Sequence, residues 1–301
     1  MLSEKCALVT GSTAGLGYAI AESLARAGAR VILNGLAAPG QGEAAAARLS
    51  ADTGYEAAFD GADLRDVGAI ERMIQGGVAR FGTIDIVVDN AVVRHFKPIQ
   101  AFTAQEWDTS LAVNLSAAFH CVRLTLPRML ERRWGRIINM SSIYGARGVE
   151  NRADYVTTKT ALLGFTRAIA AETAKTSVTC NAVAPGTVPS PAITERIAAI
   201  AAAQKISIEQ SQNPSGSIVA VERPDGIDQR LGIERRAAIF CQRAELGFDL
   251  GITQRPLGRA TAVRDPCFEH TAVLHFDSDM LDTVLRKPNE DECLKLQPCE
   301  R

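Results

Sequence analysis

Residues 6–17, CALVTGSTAGLG, pass from a short β-branched, apolar run into a turn holding three glycines, and then into an Ala-rich stretch, AGLGYAIAESLARAG, of helical period. Glycines at 11, 15 and 17 allow a sharp turn and a close backbone approach, while the first turn of the following helix offers free N–H groups and a partial positive charge. An ordinary Gly-rich strand-to-helix turn has the same composition. Its place between the first strand and first helix of a β-α-β unit favours a dinucleotide, although the spacing Gly-x-x-x-Gly-x-Gly differs from the commoner Gly-x-Gly-x-x-Gly.

Outward from this turn the alternation repeats. RVILNG, YEAAFDG, IDIVVDNA, RIINMSS and SVTCNAVAPG are strand-like; GEAAAARLSAD, DVGAIERMIQGGVARFG, residues 104–132 and the segment around Tyr155 are helical. Repeated β-α-β units imply right-handed crossovers and a parallel sheet covered on both faces, so the expected class is α/β, a doubly wound Rossmann-type sheet. Residues 1–221 form that single domain. From about residue 222 to 301 the pattern fails: four of the seven cysteines and ten arginines, but only two lysines, fall there. This atypical tail reads as a divergent extension, disordered or not, or as the product of a changed reading frame. Translating the encoding DNA in its other two forward frames distinguishes these.

The chain has 301 residues, with 33 Lys and Arg against 34 Asp and Glu, so no basic field argues for nucleic acid or a membrane surface. A small neutral or anionic partner fits better. The apolar run at the start is too short for a signal peptide, and no stretch approaches a membrane span; a cytoplasmic location is expected. Seven cysteines without a Cys-x-x-Cys pair read as reduced thiols, with no metal site.

In SSIYGARGVENRADYVTTK, residues 141–159, Tyr155 precedes Lys159 by four positions. On a helix the two side chains sit one turn apart on one face, and an ammonium beside a phenol lowers its pKa from about 10 towards neutrality. Such a pair also occurs by chance in many helices. Together with Thr-Gly-x-x-x-Gly-x-Gly and the interval from Ser142 to Tyr155, however, it resembles the short-chain dehydrogenase/reductase family over roughly residues 1–221.

The resemblance implies hydride transfer between a nicotinamide and an alcohol or ketone. Tyr155 would be the general acid/base, Lys159 would tune it and hold the nicotinamide ribose, Ser142 would orient the substrate oxygen, and Asn114 would support a water chain to the lysine. Thr10, Gly11, Ser12, Gly15, Leu16 and Gly17 would cradle the pyrophosphate, Asp63 would meet the adenine amino group, and Asn90 and Ala91 would follow the fourth strand. Val92 stands where the family has glycine, which would crowd the ribose or force a local shift. Pro185 and Gly186 would form the family's Pro-Gly cofactor turn, where Val188 and Ser190 would embrace the carboxamide. No cation lies near Ser12, Thr13 or residues 34–36, which favours NAD over NADP by exclusion.

Within the family, ILNG at the second strand, FDGADL, NLSAAFH, WGRIINM and TCNAVAPG most resemble D-3-hydroxybutyrate dehydrogenases. The substrate residues carried over are Arg94, Tyr144, Arg152 and Arg196, with a mobile helical lid at about 190–212. Arginines favour an anionic substrate, although Arg152 and Arg196 also read as solvated helix surface. The expected function is interconversion of a small hydroxy acid and its keto acid, with D-3-hydroxybutyrate and acetoacetate or a related carboxylate foremost. Alternatives are a short-chain reductase of 3-oxoacyl thioesters or cyclic ketones and a non-catalytic nucleotide-binding module. A homo-oligomer, the family tetramer, is expected, weakened if the tail leaves the sheet edge open.

Overall fold

The computed structural model describes residues 2–185, residue 198, and the backbone of 237–241, 261–265 and 268–274. Six strands, β1 (Cys6–Val9), β2 (Arg30–Asn34), β3 (Ala57–Asp60), β4 (Ile86–Asp89), β5 (Gly135–Met140) and β6 (Val178–Pro185), run in the order β3-β2-β1-β4-β5-β6. All five pairings among them are parallel. The strands are rich in Val, Ile and Leu and are buried almost throughout, as strands covered on both faces must be.

Helices α1 (Gly15–Arg26) and α2 (Gln41–Thr53) cover one face, closing Ile20, Leu24 and Leu49 over Val9, Leu33 and Val88. Helices α3 (Val67–Phe81), α5 (Ala117–Glu131) and α6 (Ala153–Thr173) cover the other, closing Ile70, Met73, Met129 and Ile169 over Leu8, Val87 and Ile137. Each fully buried Leu or Ile contributes about 1.5–3 kcal/mol, so the two layers, rather than helix propensity, hold the sheet. Helix α3 begins where the Asp66 carboxylate accepts from Gly68 N–H.

Helix α4 (Ala104–Leu111) opens with a Thr103–Glu106 capping box and joins α5 through a π-helical turn, Ala112–Ser116, in which Ala117 N–H donates to Ala112 O. The two helical stretches expected over 104–132 are therefore one run with a single wide turn at Asn114.

Strands β7 (Ala237–Cys241), β8 (Thr261–Asp265) and β9 (Phe268–Leu274) extend the sheet in the order β6-β7-β9-β8. All their pairings are antiparallel, with β7 in register along β6 from Pro185↔Ala237 to Asn181↔Cys241. Strand β6 is therefore paired on both sides, with β5 and β7. With no helix read between them, the short runs AAIFC, TAVRD and FEHTAVL gave no β-α-β signal, and antiparallel partners need none.

Strand β1 lies between β2 and β4, where the connections change direction. In such sheets ligands sit in the crevice beyond the carboxyl ends of the strands at this switch.

Candidate active site

The β1–α1 turn is built by close packing. A Cβ at Gly17 would come within 2.2 Å of Gly11 O, and one at Gly11 within 2.7 Å of Ala91 Cα, so both positions exclude a side chain. Gly15 has φ +60 and, among the described residues, nothing within 4 Å of where its Cβ would be. Helix α1 starts at Gly15 with no side-chain cap and no acidic residue in its first turn, which leaves its N–H groups for an anion. These features fit the pyrophosphate of a dinucleotide.

The polar side chains around the turn face one another. Thr10 Oγ1 accepts from Asn90 N–H (2.9 Å) and Ala91 N–H (3.0 Å), and Asn90 Nδ2 donates to the carbonyls of Thr10 and Gly11. This clasp ties β1 to the end of β4. The Ser12 hydroxyl, fully buried, donates to Val9 O (2.6 Å) and accepts from Asn34 N–H. The Ser12 N–H donates to Asn34 O (2.8 Å), so neither its hydroxyl nor its backbone N–H is left for a ligand, whereas the sequence had placed Ser12 among the cofactor residues. Leu16 is half-buried on the same turn. Asp63 is held by the Arg65 guanidinium through both carboxylate oxygens, which keeps its pKa below the usual carboxylate value. Val92 does not take a positive φ, so the valine brings no left-handed strain.

The reacting end lies on α6. Asp154, in its first turn and fully buried, accepts from Tyr155 N–H at 2.7 Å; Tyr155 and Lys159 follow on one face, 8% and 3% exposed. Lys159 Nζ donates to Met140 O (2.5 Å) and lies 5.8 Å from the centre of the Tyr155 ring. Burial pushes the lysine down to about 7, with Arg94 adding in the same direction and Asp89 opposing. The ammonium expected beside the phenol is therefore itself poised near neutrality in the fold. Ser142, 4% exposed, accepts from Tyr144 N–H (3.2 Å) and so caps the short turn Ile143–Gly145. It is thus both a turn cap and a hydroxyl at the end of β5. Ser141, beside it, donates to Lys159 O and ties β5 to α6.

Asn114, on the π turn, donates through Nδ2 to Val93 O (3.0 Å) and Thr158 Oγ1 (3.3 Å) and accepts through Oδ1 from Val93 N–H (2.7 Å). Its amide thereby pins the segment after β4 to α6.

Three cations surround the Tyr155 ring. The Arg152 guanidinium stacks 4.3 Å from its centre and 3.9 Å from that of Phe96, and Arg94 lies 5.6 Å away. At 9% exposure Arg152 is buried, so its reading as solvated helix surface is corrected: aromatic rings on two sides cover its planar face. Tyr144 is half-buried on its short turn and Pro185 ends β6. Gly186, Val188, Ser190 and Arg196, together with the lid at about 190–212 apart from residue 198, lie outside the described residues.

The sequence reading missed a second cluster. Asp154 Oδ2 meets His95 Nδ1 and accepts from Ser110 Oγ, both at 2.8 Å, which binds the Arg94 segment and α4 to the residue preceding Tyr155. It also missed Asp89, buried at the end of β4, whose carboxyl is pushed up to about 7 by burial, with Lys159 pulling back. Adjacency to Asn90 and to Tyr155 was the only sequence signal for either carboxylate.

Among the described residues no helix is long and apolar enough to cross a membrane. Residues 5–201 match the short chain dehydrogenase family. The chain is 40% identical over 227 residues to D-beta-hydroxybutyrate dehydrogenase from Cupriavidus necator, covering 75% of this chain and 86% of that protein. It is similar to the crystal structure of a metagenomic short-chain oxidoreductase in complex with NADP (36% identity, TM-score 0.58, 62% of this chain and 84% of that one). It is also similar to NAD+-bound xylitol dehydrogenase (29% identity, TM-score 0.61, 65% of this chain and 75% of that one).

Proposed function

Because the chain belongs to the short-chain dehydrogenase family, we propose that it is an NAD-dependent oxidoreductase interconverting a small hydroxy acid and its keto acid, foremost D-3-hydroxybutyrate and acetoacetate or a related carboxylate. A nicotinamide dinucleotide on the β1–α1 turn supplies the hydride acceptor or donor. The chain's own residues handle the rest. Tyr155 takes the proton from the substrate hydroxyl in oxidation and returns it in reduction, Ser142 holds the same oxygen, and Lys159 sets the acidity of the phenol when charged.

The observation that carries the substrate class is Arg152, a buried planar cation stacked 4.3 Å over the ring of the reacting phenol, with Arg94 on the same ring. A carboxylate bound beside the reacting carbon meets both. The similarity to the Cupriavidus necator dehydrogenase points the same way. NAD is favoured over NADP because no Lys or Arg lies in residues 10–17 or 34–36, and the Asn34 amide turns inward to the carbonyls of Asp60 and Ala62. A homo-oligomer in the cytoplasm completes the reading, and light scattering tests its assembly.

The test is NADH formation with 3-hydroxybutyrate, related hydroxy acids and neutral secondary alcohols, each with NAD and with NADP. Turnover with an acid and NAD that is lost in Tyr155→Phe is the expected result. Preference for neutral alcohols, or for NADP, overturns the corresponding part.

A further inference from the structure

Asp89 closes β4 at 6% exposure, and among the described residues its Oδ2 meets no donor. Its register partner on β5 is Asn139, fully buried, whose Oδ1 also meets none. Register partners on neighbouring parallel strands project to the same face of the sheet. Asn139 Nδ2 donates to Thr166 Oγ1 at 2.8 Å and towards Cys180 Sγ at 3.7 Å, while the Thr166 hydroxyl donates to Leu162 O at 2.7 Å. Thr166 can therefore only accept from Asn139, and turning the amide round would set oxygen against oxygen. Two neighbouring buried acceptors satisfy each other only if one carries a proton, and of these two only the carboxyl can. The next residue along β5, Met140, gives its carbonyl to Lys159 Nζ, so the acid and the lysine share one strand end.

We propose that Asp89 is a positioning residue for the Tyr155–Lys159 pair: in its acid form its proton bonds Asn139 Oδ1, and in its ionised form it is the counter-ion that keeps Lys159 charged. The inference rests on Tyr155 and Lys159 being the proton-transfer pair, but two of its three tests below do not.

The electrostatics agree with the geometry. Burial pushes Asp89 up and Lys159 down, both to about 7, and each opposes the other's shift. Among the described residues, the other titratable groups bearing on the pair are Cys121 of α5, Cys180 of β6, Arg94 of the segment after β4, and Tyr155. Both thiols are held up by burial and remain neutral. Arg94 disfavours the lysine charge, so Asp89 is the group that favours it.

Asp89→Asn tests this, because the amide N–H replaces the acid O–H towards Asn139 while the counter-ion is lost. The folded pKa of Asp89 lies above the unfolded value of about 3.9, so its stabilising contribution is full below that value and is lost as pH rises through about 7. Thermal melting of wild type and variant should coincide near pH 4, with the variant increasingly the more stable by pH 8. The infrared difference between the two should show a protonated carboxyl band in the wild type that titrates near neutrality. In turnover, the lysine without its counter-ion releases its proton at lower pH, so the acid limb of hydroxy-acid oxidation moves up by about one pH unit, a change of about tenfold below the limb. A structural lesion alone lowers turnover at every pH without moving the limb. A variant that fails to fold, a wild type that gains stability over the variant from pH 4 to pH 8, absence of the carboxyl band, or an unmoved limb in an active enzyme overturns the proposal. If neither protein turns over any hydroxy acid, the melting and infrared results still decide the state of Asp89, and the functional reading fails separately.

Discussion

The two halves of the site handle polarity in opposite ways. Around the β1–α1 turn, Thr10, Asn90 and Ser12 are neutral side chains bonded to backbone, and the surface left for a ligand is itself backbone. Around α6 the side chains are ionisable and buried: Lys159, Asp89, Asp154 and Arg152 all lie at 9% exposure or less. Holding a phosphate needs only fixed N–H dipoles and room, which glycine and tight packing provide whatever the pH. Moving a proton needs groups whose charge can change, and burial brings Asp89 and Lys159 to about 7. Substitutions in the first half should therefore act through space and shape, and those in the second through charge.

The sharpest break between the halves is Tyr155→Phe. Turnover should fall by about 10²–10⁴-fold, the usual contribution of a positioned acid/base, while calorimetry finds dinucleotide binding intact. Next is Gly17→Ala, whose new Cβ meets Gly11 O at 2.2 Å and Asn90 Nδ2 at 2.6 Å. At an overpacking cost of about 1–3 kcal/mol, dinucleotide affinity should drop by about tenfold or more, equally at pH 6 and pH 9. A drop that varies with pH would erase the contrast between the halves.

Arg152→Gln should raise KM for hydroxy acids about tenfold, the value of one charge-assisted contact, with turnover of a neutral alcohol unchanged. Equal losses on both substrates would make Arg152 a packing residue for Phe96 and Tyr155. The smallest effect expected is that of Asp154→Asn, which keeps an oxygen for Tyr155 N–H but weakens the hold on His95 and Ser110. A cost of about 1 kcal/mol lowers the melting temperature by about 2–4 °C, read by calorimetry.

The parts of this fold visible in the primary structure are those written in local patterns. The strand-turn-helix of residues 6–17, the alternation through β6 and the four-residue step from Tyr155 to Lys159 each depend on neighbours close in the chain. His95 and Asp154 are 59 residues apart, and Asn114 and Thr158 are 44 apart; no periodicity relates them. Ser12 shows the same limit from the other side, since its position in the turn was plain but the inward direction of its hydroxyl depended on Asn34, 22 residues on.

Residue types and their spacing were enough to specify a parallel, doubly wound sheet, a glycine turn for a dinucleotide and a phenol with a lysine one turn away, because backbone sterics and helix period are local properties. Which groups are buried together, and hence that Lys159 is poised near neutrality, that Arg152 stacks on Tyr155 and that Asp89 pairs in register with Asn139, was decided by the packing of α6 and β5 against β4. Desolvation and Coulomb coupling depend on distances across the chain, which residue order alone does not contain.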